Sequence, residues 1–398
     1  MKKTLLVVLD GMGDRPVSAL GNKTPLEAAK TPELDKMVEE GSCGLIQPVY
    51  SGQFPTSHEA HLSLFGYDLT KWNLGRGVFE AVGMGAKLKE GDIAWRGNWA
   101  TIDDTAKIID RRAGRILKTK KLIQALSGIK IKGIEFILVP GIAHRLAIIM
   151  RGPGISCRVN GNDLHQTGIC PSIIAPLDNQ VESKFTALVL NEFLGQAHKI
   201  LKQLPFNKRR ERDNLLPANY LLLRGGGELK SMPEFNSRYP GKACFIAGGD
   251  LYGGIALSIG MKEIKVKGAT GRFDTNLVGK FAKAIQILQK KECSFLFLHV
   301  KATDTFGHDG ECFAKMKFIE RIDEQIKQLF ALSNATVIIT ADHCTPCELK
   351  EHSADLIPFL VWGKEESKDS IAHFGERNCQ DGQWGIVRQN QLLNKIMR

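Results

Sequence analysis

Three short, unbroken apolar runs in this chain each lead to an aspartate, and that repetition constrains the fold more than any other feature. Thr4–Leu9 (TLLVVL) runs into Asp10-Gly11. Phe295–Val300 (FLFLHV) runs into Lys301-Ala302-Thr303-Asp304, and Thr336–Thr340 (TVIIT) into Ala341-Asp342-His343. Continuous rather than alternating apolar runs mark strands buried on both faces, as in a parallel sheet covered by helices. Ala243–Ile246 and Ile357–Trp362 read as weaker strands of the same kind. Leu277–Gln289 and Lys315–Leu332 carry apolar residues at helical spacing. Thr24-Pro25-Leu26-Glu27 and Thr31-Pro32-Glu33-Leu34 read as helix starts, with Thr as N-cap and Pro at the first helical position. Alternating strands and helices predict an α/β domain with a mostly parallel sheet flanked by helices.

The middle of the chain breaks this pattern. Ile93–Thr101, Ile134–Val139, Arg145–Met150 and Ser156–Val159 read as short β pieces separated by Gly, Pro and Asn/Asp turns. Leu215–Asn219 and Arg224-Gly225-Gly226-Gly227 read as a turn-rich exit. The expected organisation is a discontinuous α/β domain, 1–86 and 217–398, interrupted by a smaller α+β domain over 87–216. Hinges are expected near 85–90 and 215–225.

Composition narrows the function. The chain has 398 residues, 43% hydrophobic and 24% charged, which is globular and long enough for a large core. Its formal net charge of +11 fits either nucleic acid or a small polyanion. The densest basic run, Lys208-Arg209-Arg210-Glu211-Arg212, is short, and aromatics are only 7%, leaving few stacking platforms. A focused site for a small anionic phosphoester is the better reading, with no nucleic-acid partner. The nine cysteines are scattered, the amino terminus lacks a signal-peptide pattern, and no window approaches the apolar length of a membrane span. A cytoplasmic protein with free thiols and no membrane partner follows. Cys344-Thr345-Pro346-Cys347 is a lone C-x-x-C and reads as two loop thiols.

Ligands of open α/β sheets bind beyond the carboxyl ends of the strands. Asp10, Asp304 and Asp342 with His343 are therefore predicted to converge, joined by His308, four residues after Asp304, and by His352, just before the Ile357 strand. One Asp after a strand is usually a turn former or cap. Three strand ends together, with the Asp-x-x-x-His spacing, point to metal. Mixed carboxylate and imidazole donors suit Mn²⁺, Zn²⁺, Co²⁺ or Fe²⁺ better than Ca²⁺, and their number favours a pair of ions. In Gly52-Gln53-Phe54-Pro55-Thr56-Ser57-His58-Glu59, Ser57 opens a helical pattern. It reads either as an N-cap or as a nucleophile whose alkoxide is stabilised by metal and helix dipole.

With these residues in place the chain resembles the cofactor-independent (2,3-bisphosphoglycerate-independent) phosphoglycerate mutases of archaeal type, in the alkaline phosphatase superfamily. The resemblance rests on Asp10–Pro16, Lys23–Ala29, Ser63–Asp68, Gly75-Arg76-Gly77, Glu80-Ala81, Asp110–Arg115, His144-Arg145, Gly268–Gly271, His299–Asp304, Gly307–Gly310 and Asp342-His343. It implies an alkaline-phosphatase-like fold and two divalent metals, commonly Mn²⁺, with Zn²⁺, Co²⁺ or Mg²⁺ as alternatives. Asp10, Ser57, Asp342 and His343 would hold one ion, and Asp304, His308 and His352 the other. Ser57 would carry the phosphoryl group between 2- and 3-phosphoglycerate, and the inserted domain would grip the glycerate. His58 departs from the usual Asp at its position, and Cys344 from a common Ser.

A substrate with a phosphate and a carboxylate suits arginine forks. Of the insertion's arginines, which also include Arg115 and Arg151, Arg96, Arg111, Arg112 and Arg145 are favoured by the family pattern. Asp163 and His165 sit in a segment like the family's Asp-Pro-His, with Leu164 in place of Pro; Asp163 is a candidate substrate contact and His165 a candidate proton carrier. Lys301 is a candidate phosphate contact. His61, His198 and His373 read as packing or surface residues. Related phosphohydrolases and phosphotransferases, such as a homoserine-kinase-like paralogue, would share the metal site, and a non-catalytic binding protein would keep only the fold.

Overall fold

A computed structural model describes residues 3–49, 54–363 and 367–397. Gly52 and Gln53 of the candidate nucleophile segment lie outside the described residues. The chain forms two compact units, Met1–Asn73 with Pro233–Arg398, and Leu74–Met232.

The first unit is built on an eight-stranded sheet. Its order is Lys262–Glu263, Ala243–Ile246, Phe295–Val300, Lys3–Leu9, Ala335–Thr340, Ile357–Trp362, Ser42–Gln47 and Ile386–Arg388. Every neighbouring pair is parallel except those of Ile357–Trp362, which runs against both of its neighbours. The three apolar runs singled out in the sequence are adjacent central strands. Leu9 sits opposite Val300, and Val8 opposite Thr340, so all three leave the sheet at the same edge.

The helices begin where the sequence signals them. Thr24 closes a capping box with Glu27, and Pro25 takes the first turn. Pro32 opens the next helix, although the Thr31 side chain makes no capping bond. The pattern expected as one helix over 315–332 is an α-helix over Cys312–Ile326 that tightens into a 3₁₀ turn, Lys327–Ala331. This helix carries Lys315, whose buried ammonium donates to Asp14 (2.8 Å), Gly13 O and Thr345 O. The pair pins the glycine-rich loop after the first strand. Removing one partner of such a buried pair costs about 3–5 kcal/mol.

The second unit is α+β. Ile93–Ile102 is its central strand, antiparallel to Arg145–Arg151 on one side and Tyr220–Glu228 on the other. Ile134–Pro140 pairs with Arg145–Arg151, and Ile108–Asp110 with the end of the central strand. The helices Lys120–Leu126 and Val181–Gln203 contribute to its core, where Phe136 and Phe193 stack at 4.0 Å.

Two sequence expectations fail here. Ser156–Val159 is not a strand; only an isolated bridge joins Val159 to Pro176. Arg224–Gly227 is not a turn but part of the strand Tyr220–Glu228. Its glycines allow close approach: a Cβ on Gly227 would meet Leu74 O at 1.8 Å, and one on Gly226 the Trp95 ring at 2.5 Å. The same packing moves the unit's edges from 87 and 216 to Leu74 and Met232. The helix Arg76–Gly83 and the strand Tyr220–Glu228 both pack on the central strand. The segments expected as hinges, 85–90 and 215–225, therefore lie inside this unit, and the chain crosses between units at 73/74 and 232/233. Among the described residues no helix is long and apolar enough to cross a membrane.

Candidate metal centre

Because the three central strands end in register, their first loop residues form one rim. Asp10, Asp342 and His343 bring ligand atoms within 4.8 Å of one another, and so do Asp304, His308 and His352. His352 reaches the rim because the reversed strand Ile357–Trp362 starts there. Ser57 opens the helix Ser57–Leu64, and its Oγ lies 3.4 Å from His343 Nε2.

The hydrogen bonds set the histidine tautomers. His308 Nδ1 faces Lys350 O (2.8 Å) and His352 Nδ1 faces Pro55 O (2.8 Å). A carbonyl only accepts, so both Nδ1 atoms carry the hydrogen, and in the neutral rings both Nε2 atoms present lone pairs. Those two Nε2 atoms lie 3.2 Å apart, at 3.3 and 3.4 Å from Asp304 Oδ1. In the other cluster Thr345 Oγ1 donates to Asp304 Oδ1 (2.9 Å) and so accepts from His343 Nδ1 (3.1 Å). His343 Nε2 then turns its lone pair to Asp342 Oδ2 (3.2 Å) and Asp10 Oδ1 (3.6 Å). Asp10 Oδ1 and Asp342 Oδ2 are buried without a hydrogen-bond partner. Facing lone pairs and orphaned carboxylate oxygens repel one another and are costly when buried. Divalent cations resolve both problems, so the donor set fits them.

Charge agrees with this geometry. Burial pushes the Asp342 carboxyl well above the ordinary range, and the charge of Asp10 adds to the shift. Burial is the largest influence on Asp10 and Asp304 too and opposes their ionisation, but the Lys301 ammonium, joined by His299 at Asp10 and by His308 and His352 at Asp304, holds both below that range. Lys301 Nζ lies 3.3 Å from Asp10 Oδ2 and 2.8 Å from Asp304 Oδ2, bridging the two clusters. Burial lowers His343 to about 3, keeping it neutral as a ligand must be.

Several side chains were not legible as site residues. His61, read as packing, donates Nδ1–H to Ser57 O (2.7 Å) and lies 3.4 Å from Asp342 Oδ2. The only sequence signal was its place one helical turn after Ser57. His299 Nε2 lies 3.2 Å from Asp10 Oδ2, and Gln389 donates to Asp342 O (2.7 Å). His58 instead faces Thr56 Oγ1 (2.9 Å) and Asn73 Oδ1 (3.1 Å). His198 bonds Asn219 O, and His373 pairs with Asp35 at the surface. Cys344 directs its thiol at the carbonyls of Asp355 and Leu356.

The arginine candidates belong to the second unit. Arg111 forks onto Asp163 with two 2.8 Å bonds, and Arg224 reaches the same carboxylate at 3.3 Å. Arg76 and Arg96 share Glu80 Oε1 at 2.7 and 3.0 Å. Burial lowers Arg96 to about 9, and the nearby charges of Arg76, Arg224 and Arg145 add to that, while Glu80 opposes it. His165 lies against Arg224 and adopts φ +62°. The guanidinium groups of Arg112 and Arg145 make no hydrogen bond or ion pair among the described residues. Arg151 instead forks onto Asp92, away from this group. Arg76 and Arg224 were not among the candidates; Arg224 sits beside glycines that read as a turn.

A strand-end rim carrying paired clusters of carboxylate and imidazole donors around a helix-opening serine defines a metalloenzyme. The profile of the Metalloenzyme superfamily matches residues 2–397. The chain is 40% identical over 400 residues to 2,3-bisphosphoglycerate-independent phosphoglycerate mutase 1 of Methanocaldococcus jannaschii, covering 99% of this chain and 96% of that protein. Two solved structures are also similar. One is a protein from Pyrococcus horikoshii, with TM-score 0.86 and 32% identity, covering 100% of this chain and 96% of that one. The other is the cofactor-independent phosphoglycerate mutase of Thermoplasma acidophilum, with TM-score 0.72 and 31% identity, covering 100% and 99%. The chain belongs to the family of 2,3-bisphosphoglycerate-independent phosphoglycerate mutases.

Proposed function

We propose that this protein interconverts 2- and 3-phosphoglycerate without a bisphosphoglycerate cofactor, by way of a phosphorylated Ser57. Asp10, Ser57, Asp342 and His343 would hold one divalent ion, and Asp304, His308 and His352 a second, Mn²⁺ being the proposed metal. When bound, such ions supply Lewis acidity and favour the ionised serine hydroxyl at neutral pH. The helix N-terminus under Ser57 favours the same anion and an incoming phosphate.

Each half of the reaction forms one O–P bond and breaks another. Ser57 Oγ attacks phosphorus and a glycerate oxygen leaves; the other glycerate hydroxyl then takes the phosphoryl group back. The hydroxyl that is freed gains a proton and the one that attacks gives one up, so the isomerisation is proton-neutral. Lys301, carrying a full charge between Asp10 and Asp304, steadies the phosphoryl oxygens. The arginine group around Glu80 and Asp163 holds the glycerate carboxylate, with Arg145 and Arg112 the unengaged forks. His165 serves as the proton carrier of the second transfer. Water must be kept from the phosphoserine, since hydrolysis there would make a phosphatase. The protein is proposed to act in glycolysis and gluconeogenesis in the cytoplasm.

The observation that carries this reading is the pair of unsatisfied donor clusters flanking Ser57 and Lys301 in a chain of this family. The test is a mutase assay with Mn²⁺ on wild type and Ser57→Ala. Activity should fall by about 10³-fold or more with metal content unchanged. Full activity in the variant removes Ser57 from the chemistry. Release of inorganic phosphate in place of isomerisation by the wild type makes the protein a hydrolase.

A further inference from the structure

Lys301 has three N–H donors, and all three are in use. Its Nζ lies 3.3 Å from Asp10 Oδ2, 2.8 Å from Asp304 Oδ2 and 2.8 Å from the hydroxyl of Tyr252. Two of these partners are carboxylates of the candidate metal clusters. Each turns its other oxygen, Oδ1, to the histidines of a cluster, so a bound cation would draw on the same carboxylate that holds the lysine. Tyr252 is the partner that no cation competes for.

Tyr252 is also firmly fixed for this role. It sits on the helix Asp250–Ser258 and is 2% exposed. Its ring stacks on His299 at 3.7 Å and 24°, and lies 5.0 Å from the ring of His61. Both histidine rings are buried. The phenol oxygen is therefore held in place by the packing of its ring. It can accept from Lys301 while keeping its own hydrogen.

We propose that Tyr252 is a positioning residue: its hydroxyl tethers the Lys301 ammonium between the two metal clusters, so that the charge stays aimed at the transferring phosphoryl group once the carboxylates are shared with cations. This rests on the function proposed above and adds a residue to it. Without the tether Lys301 keeps its charge but samples several rotamers, and the transition state loses a fixed donor. Ground-state binding by the arginine group is untouched.

The experiment is Tyr252→Phe, made in wild type and in Lys301→Met. Phe keeps the stack on His299 and removes only the hydroxyl. In the wild-type background kcat should fall about tenfold, with KM for 3-phosphoglycerate within about twofold and Mn²⁺ stoichiometry unchanged. In the Lys301→Met background the same change should cost less than about twofold, because two residues acting as one unit are not additive. In a crystal of the Mn²⁺-loaded Tyr252→Phe protein, Lys301 Nζ should be displaced or spread over several positions. Equal losses in both backgrounds, no loss in wild type, or an unmoved Lys301 would overturn the proposal. If the wild type binds Mn²⁺ but isomerises no phosphoglycerate, the function falls instead, and the position of Lys301 in the crystal still decides the part played by Tyr252.

Discussion

In the unit built on the parallel sheet, three aspartates and three histidines turn acceptor atoms toward one rim, with one lysine among them. In the unit built on the antiparallel sheet, Arg76, Arg96, Arg111, Arg145 and Arg224 gather around two buried carboxylates, Glu80 and Asp163. The first has lone pairs and too few positive charges; the second has guanidinium groups and too few negative ones. Neither is a self-sufficient ion-pair network. Each imbalance names the chemistry of what it receives, cations in one case and an anion in the other. The sheet types contribute to the difference. Parallel strands deliver residues distant in sequence to one edge, as with Asp10, Asp304 and Asp342. The antiparallel strand Ile93–Ile102 instead presents Arg96 directly opposite Arg224 across a single pair.

Three experiments would sharpen or break this contrast. The largest effect belongs to chelation. Stripping divalent ions should abolish mutase activity by about 10³-fold or more, and Mn²⁺ should restore it. Since ions that bind only the folded state stabilise it, the melting temperature should rise on re-addition. Unchanged activity in chelator would mean that the lone pairs at the rim have another purpose. Next is Arg145→Ala. Its guanidinium has no partner among the described residues, so the fold should keep its melting temperature while KM rises about 10–100-fold, the worth of a charge-assisted contact. A fall in kcat alone would move Arg145 out of the anion grip.

The smallest effect is on the pH dependence of metal binding. Asp342 is pushed up by burial, and His308 is raised by its bond to Asp304. Both must be deprotonated to act as ligands, so Mn²⁺ binding releases protons. Affinity should climb with pH below these raised values, by about tenfold per unit for each proton released. Titration calorimetry in buffers of different ionisation enthalpy counts those protons between pH 5 and 7. A flat profile would mean that the ligands are already ionised.

What the sequence disclosed follows the same division. The central strands were legible because burial on both faces forces unbroken apolar runs, and the rim followed because parallel strands end together. Ser57 was legible from its helix-start pattern. The reversed direction of Ile357–Trp362 was not, since a buried strand reads the same both ways. Tyr252, His299 and Gln389 were hidden because they meet the site through contacts between segments far apart in the chain. In the second unit, glycines obscured the strand Tyr220–Glu228: their role in close packing looks, in sequence, like a turn. Asp163 was expected as a substrate contact, yet both of its oxygens are engaged by Arg111 and one also by Arg224.

The backward course of Ile357–Trp362 reaches further than topology. Because that strand departs from the ligand edge, the one loop between it and Ala335–Thr340 bears Asp342 and His343 for one cluster and His352 for the other. His343 and His352 even stack face to face at 3.6 Å. The two clusters are thus ganged: a shift of this single hairpin displaces both together, and a lengthened or shortened loop would detune the pair rather than disable one member.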